Sequence, residues 1–114
     1  MKFKIYYLLI LLFPVSVNAA TYVSGVSTTI TRIDTHHYGK ADGDVRISVS
    51  DSVPGCESGY FITADSQSIE KALSIALSAY HSGSKVVIGG QSGIQWDGTS
   101  RTDYCHVHSI SLSK

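Results

Sequence analysis

Residues 66–83 read SQSIEKALSIALSAYHSG, and this run decides the architecture. Ile69, Ala72, Leu73, Ala76, Leu77 and Tyr80 recur at helical spacing, so the run predicts one amphipathic helix from about Gln67 to Ser82 with a single apolar stripe. Asp65 or Ser66 stands where an N-cap belongs. Gly83 stands where a left-handed residue would end the helix. The small side chains of Ala72 and Ala76 would let it lie close on a sheet. No other stretch of the chain past residue 20 has this period.

The flanks read as strands. Tyr22–Ile33 is rich in Val, Thr and Ile and predicts a first strand, with Gly25 as a bulge. A polar turn region at 34–44 contains Gly39 and Asp42-Gly43. Val45–Ser50 alternates apolar and polar residues and predicts a strand with one buried face. Pro54-Gly55 lies in a second turn, and Tyr60-Phe61-Ile62 predicts a short third strand. Lys85–Gly89 predicts a fourth strand, 90–102 a long loop with the only tryptophan, Trp96, and Tyr104–Leu112 the last strand. The expected order βββαββ, in one mainly β domain over residues 20–114, is that of the five-stranded OB-like Greek-key barrel.

The N-terminus points to export. Met1-Lys2-Phe3-Lys4 is basic, residues 5–13 carry no charge, and Val17-Asn18-Ala19 offers a small-residue cleavage site, the pattern of a secretory signal peptide over residues 1–19. The apolar run is shorter than the roughly 20 residues a bilayer-spanning helix needs. Residues 20–114 would then carry seven basic and nine acidic side chains, a net charge of −2. That balance speaks against a nucleic-acid partner, which selects clustered Lys and Arg. The protein is expected to be secreted or periplasmic, in the manner of a bacterial exported protein.

Cys56 and Cys105 are the only cysteines, and in an oxidising compartment such a pair predicts a disulfide. It would close a loop of about 50 residues, which the chain-entropy model values at roughly 4 kcal/mol. A zinc site is the competing use of Cys105, because His106 and His108 follow it and could meet His36 or His37 across a sheet. There is no Cys-x-x-Cys pair to complete such a site, so no metal or other cofactor is expected.

The stretch SIEKALSIALSAYHSGSKVVIGG, residues 68–90, lies between a cysteine-containing strand region and a second cysteine with a last strand. In this arrangement, and in Ser82-Gly83-Ser84-Lys85-Val86 at the helix-to-strand turn, the chain resembles the B subunits of subtilase cytotoxin and pertussis-like toxins and the small exported proteins related to them. The likeness runs over residues 41–112. It implies an OB-like fold, ring pentamers and glycan binding. Such subunits are longer and richer in cysteine, and none of their sugar-contacting residues maps onto this chain.

Motifs with a catalytic mechanism are missing. No serine sits in Gly-x-Ser-x-Gly, and Gly83-Ser84 is a helix-to-strand turn rather than the strand-to-helix turn of a nucleophile elbow. Gly89-Gly90-Gln91-Ser92-Gly93 lacks the Lys of a phosphate loop. Asp42, Asp44, Asp51, Glu57, Asp97 and Asp103 all lie near turns, where solvated acids are the rule. The expectation is a non-enzyme. Trp96 and Asp97, with Arg101 and Tyr104, place aromatic surface beside hydrogen-bonding groups on one loop, the mixture a sugar or peptide site uses. Alternatively Trp96 folds back to cover an open barrel end. The leading expectation is an exported glycan-binding module. The second is a structural or inhibitory partner of another envelope protein, acting through a strand edge or the Trp96 loop, and the third is a histidine-based metal binder.

Overall fold

A computed structural model describes residues 20–113; the expected signal peptide lies outside the described residues. Six strands and one helix follow one another as β1 (Thr21–Val23), β2 (Ile30–Thr35), β3 (Val45–Val49), β4 (Gly59–Ile62), α1 (Ile69–Ser82), β5 (Val86–Ser92) and β6 (Tyr104–Leu112). They form one mixed sheet in the order β1-β5-β6-β4-β3-β2. β4 and β6 pair in parallel, and the other neighbours are antiparallel.

The expected single first strand is two. β1 lies on β5, and Thr28 still bridges to Val86 of that strand, whereas β2 from Ile30 onward pairs with β3. β1 and β2 are therefore the two edges of the sheet, no ladder joins them, and the sheet is open between them. Gly25 is not a bulge within a ladder. It lies where the chain presses against β5, and a Cβ there would sit 2.0 Å from the Ile88 carbonyl oxygen. Gly25→Ala should lower stability by 1–3 kcal/mol, the usual range for forced overpacking, read as a shifted urea midpoint at constant slope.

Alternation along the strands separates a core face from an outer face. Ile33, Ile47, Tyr60 and Cys105 are register partners across four strands, and three of them are buried. Their outer-face neighbours form a row that crosses all six strands: Asp34, Arg46, Phe61, His106, Gln91 and Tyr22. Near Gly89/Gly90 the β5–β6 register slips, because Gly90 pairs with Val107 but Gly89 with Ser109, leaving His108 as the extra residue. This bulge lets Val107 and Ile110 both pack on the core.

The helix begins two residues later than its period predicts, with Ser68 rather than Asp65 or Ser66 at the N-cap. It ends as expected, with Gly83 in the left-handed region at φ 66°. Its inward stripe is Ile69, Ala72, Leu73, Ala76 and Ala79, with Ala76 and Ala79 fully buried, so small residues set the close approach. Leu77 and Tyr80, expected in that stripe, are rotated out to 39 % and 47 % exposure. No helix among the described residues is long and apolar enough to cross a membrane.

The Cys56–Cys105 disulfide is present, with Cα atoms 5.3 Å apart and both residues fully buried. It ties the turn before β4 to the parallel partner β6. Gly90 makes room for it, since a Cβ there would lie 2.8 Å from Cys105 Cβ.

Candidate functional site

The outer face of β4 carries a second small core, built around Asp44. The 36–44 segment is folded on itself by His36 N–H to Asp44 O at 3.0 Å, Gly43 N–H to His36 O at 2.7 Å and a 3-10 turn at Gly39–Ala41. Asp44, at its end, is only 4 % exposed. Its carboxylate accepts from Trp96 Nε1 at 2.8 Å and from the Ala64 backbone N–H at 2.8 Å. One buried carboxylate thus joins the 36–44 turn, the 93–103 loop and the β4–α1 connection. Both oxygens are satisfied, as burial of a charge requires.

Trp96 is 1 % exposed and stacks on Phe61, with ring centroids 5.3 Å apart and planes at 11°. His36 and Tyr104 meet it edge-on at 4.7 Å and 5.2 Å. Gly98 lies over the indole so closely that a Cβ would come within 2.4 Å of ring atoms. The Gln95 side-chain amide nitrogen lies within hydrogen-bond distance of the carbonyls of Trp96, Thr99 and Arg101, at 3.0–3.1 Å, and rigidifies the loop. Trp96 therefore folds back, as one of its two expected roles requires, and what it covers is the outer face of β4. It offers no exposed platform for a ligand ring.

The four expected ligand-binding residues do not converge. Trp96 and Asp97 border a cavity of about 350 Å³ between the 36–44 turn and the 93–103 loop. Arg101 turns away and forms an exposed ion pair with Asp103, which pulls the Asp103 carboxyl down to about 2. Tyr104 is half-buried against the indole edge. Residues not expected at a ligand site complete the cavity: Lys40, Thr63, Asp65 and Gln95 stand with Asp42 and Asp97 around it, above Asp44 and Phe61. Three exposed carboxylates, Asp42, Asp65 and Asp97, stand there with one ammonium group, and the Asp44 carboxylate lies satisfied beneath them. The cavity is at the lower end of the 300–1,000 Å³ range of small-ligand pockets.

The histidines are dispersed among aromatic partners. His106 packs on Phe61 at 5.2 Å, His108 meets Tyr22 at 5.1 Å, and His36 is the one on Trp96. Among the described residues no group of three or more His, Cys, Asp or Glu side chains is placed to hold a metal ion, and both cysteines are used in the disulfide. Burial lowers the pKa of His106, against a smaller upward pull from Asp65 and Asp44. The unfolded chain thus takes up the proton first, at its ordinary pKa of about 6.5. Stability present above that pH should fall as pH drops through it, and level off below the folded-state pKa. His106→Gln should flatten this acid-side slope in urea titrations between neutral and mildly acidic pH. On the same face Arg46 forms a two-pronged pair with Asp34, which lowers the Asp34 carboxyl and clamps β2 to β3.

No protein-family model, curated protein or solved structure matches the chain.

Proposed function

We propose that this chain is an exported, non-catalytic binding module with an OB-like barrel, and that it holds a neutral glycan in the cavity between the 36–44 turn and the 93–103 loop. The carrying observation is that cavity, where Asp42, Asp65 and Asp97 ring an opening of about 350 Å³. Carboxylates accept from sugar hydroxyls, and these three against one lysine would repel a sialylated or sulfated glycan.

The barrel reading treats residues 21–35 as one interrupted strand. Its first part lies on β5 as far as Thr28, and its second part lies on β3. Counted so, five strands run 1-2-3-5-4-1, with one parallel pair and a helix between the third and fourth. A small Greek-key barrel has this strand order, and in the proposed reading the first strand would close the sheet. In this fold the second and third strands and the two loops beside them bind oligosaccharides and oligonucleotides. Here those loops are the two that border the cavity, and the acidic lining favours the sugar. The toxin-B-like ring of copies and the extracytoplasmic location belong to the same proposal, with the buried disulfide and the leader-like N-terminus in support.

A glycan array probed with the oxidised protein tests it. Signal confined to neutral glycans, and lost in Asp97→Ala and Asp65→Ala proteins with unchanged circular dichroism, is expected. An array without signal, or binding of sialylated glycans that survives both substitutions, would remove the glycan assignment. Native mass spectrometry tests the ring separately, by whether the oxidised protein is monomeric or pentameric.

A further inference from the structure

We propose that the groove between α1 and the far half of β6 is a second binding site, which takes an extended peptide bearing carboxylates by adding it as a strand to the free edge of β6. β4 accompanies β6 only from Tyr104 to His106. Beyond that, β6 continues to Leu112 with β5 on one side and, among the described residues, no strand on the other.

A groove of about 510 Å³ opens between the first half of α1 and β6. Five consecutive residues of β6, His106 through Ile110, border it. A groove on one face of a strand would be bordered by alternate residues. The bulge at His108 accounts for a single departure from alternation, so the strand presents its edge to the groove, backbone included.

An unpaired edge with apolar walls is what strand addition uses: main-chain hydrogen bonds supply affinity and alternate side chains enter the pockets. Ile62, Ala72, Ile75, Val107 and Ile110 supply those walls. Charge selects the occupant. The border includes the exposed Lys71 and no Asp or Glu, the reverse of the acidic cavity proposed for the glycan. A peptide with carboxylates between apolar side chains complements it. This site uses different residues from the glycan cavity, so either assignment can fail alone.

Fluorescence anisotropy with a labelled octapeptide of alternating valine and glutamate tests the proposal on the oxidised protein. Saturable binding is expected, weakened about ten-fold or more by Lys71→Glu, by exchange of the peptide's glutamates for lysines, and by N-methylation of alternate peptide bonds. Lys71 is exposed, so the substitution should leave the fold intact. In nuclear magnetic resonance spectra the amides of residues 107–112 should shift on titration. The proposal is overturned if the peptide shows no saturable binding, or if the N-methylated peptide binds equally well. It is also overturned if Lys71→Glu has no effect, or if the protein self-associates with those amides already protected, which would place a second copy in the groove.

Discussion

Replacing Cys56 and Cys105 together by alanine should cost about 4 kcal/mol of unfolding free energy, the chain-entropy value for a loop of this length. The crosslink spans 49 residues and joins two fully buried positions, so little of its effect should be lost to solvent-exposed slack. For a domain of under 100 residues that corresponds to a fall in Tm of roughly 15–30 °C. The total stability of small domains is commonly only about 5–15 kcal/mol, so the doubly substituted protein should be partly unfolded at 37 °C. Calorimetry of the oxidised, reduced and doubly substituted forms checks this. A Tm within a few degrees of the oxidised protein would mean that the sheet alone holds β4 against β6.

Trp96→Ala should be comparably severe, for a different reason. Truncation of a buried large aromatic costs about 3–5 kcal/mol. Here it also removes the Nε1 donor from Asp44, leaving a 4 %-exposed carboxylate with the Ala64 N–H as its remaining protein partner. Trp96→Phe separates the two contributions, since it keeps the stack on Phe61 and removes the hydrogen bond; about 1–3 kcal/mol should go. Urea titrations of the three proteins, followed by far-ultraviolet circular dichroism, give both values. Equal midpoints for the Phe variant and the wild type would show that Asp44 gains nothing from the indole. Because Trp96 is the only tryptophan, wild-type fluorescence reports this loop alone, and it should change together with the circular dichroism if the loop and sheet unfold as one unit.

What the sequence made legible follows from range. The helix, its glycine stop, the alternating β3, β6 and the cysteine pair are all marked by local periodicity or by a unique partner, and each is found within two residues of its expected place. The division of the first strand is not marked, because it depends on how closely Gly25 approaches Ile88, a contact between residues 63 positions apart. The same holds for Leu77 and Tyr80: their spacing fits the stripe, but the sheet accepts the narrower side of α1 where the alanines lie. Around the candidate site, Trp96 was conspicuous by its rarity and Asp97 by its neighbour. Lys40 and Thr63 carry no mark of their own, Asp65 is marked only as a helix cap, and the folding of the 36–44 turn onto the β4–α1 connection brings them there. Asp44 differs from five other turn acids solely in being buried, which no spacing rule reveals.

The interruption between β1 and β2 has a mechanical consequence. One continuous segment is fastened at two places to opposite edges of the sheet: by the three-residue β1 along β5, and by β2 along β3 with the Asp34–Arg46 clamp across it. A pull applied at Ala20 meets the weaker fastening first. The short β1 ladder can peel away while Thr28 and the β2–β3 pairing still hold, so the N-terminus yields in two steps, and the first leaves the disulfide-stapled centre of the sheet untouched.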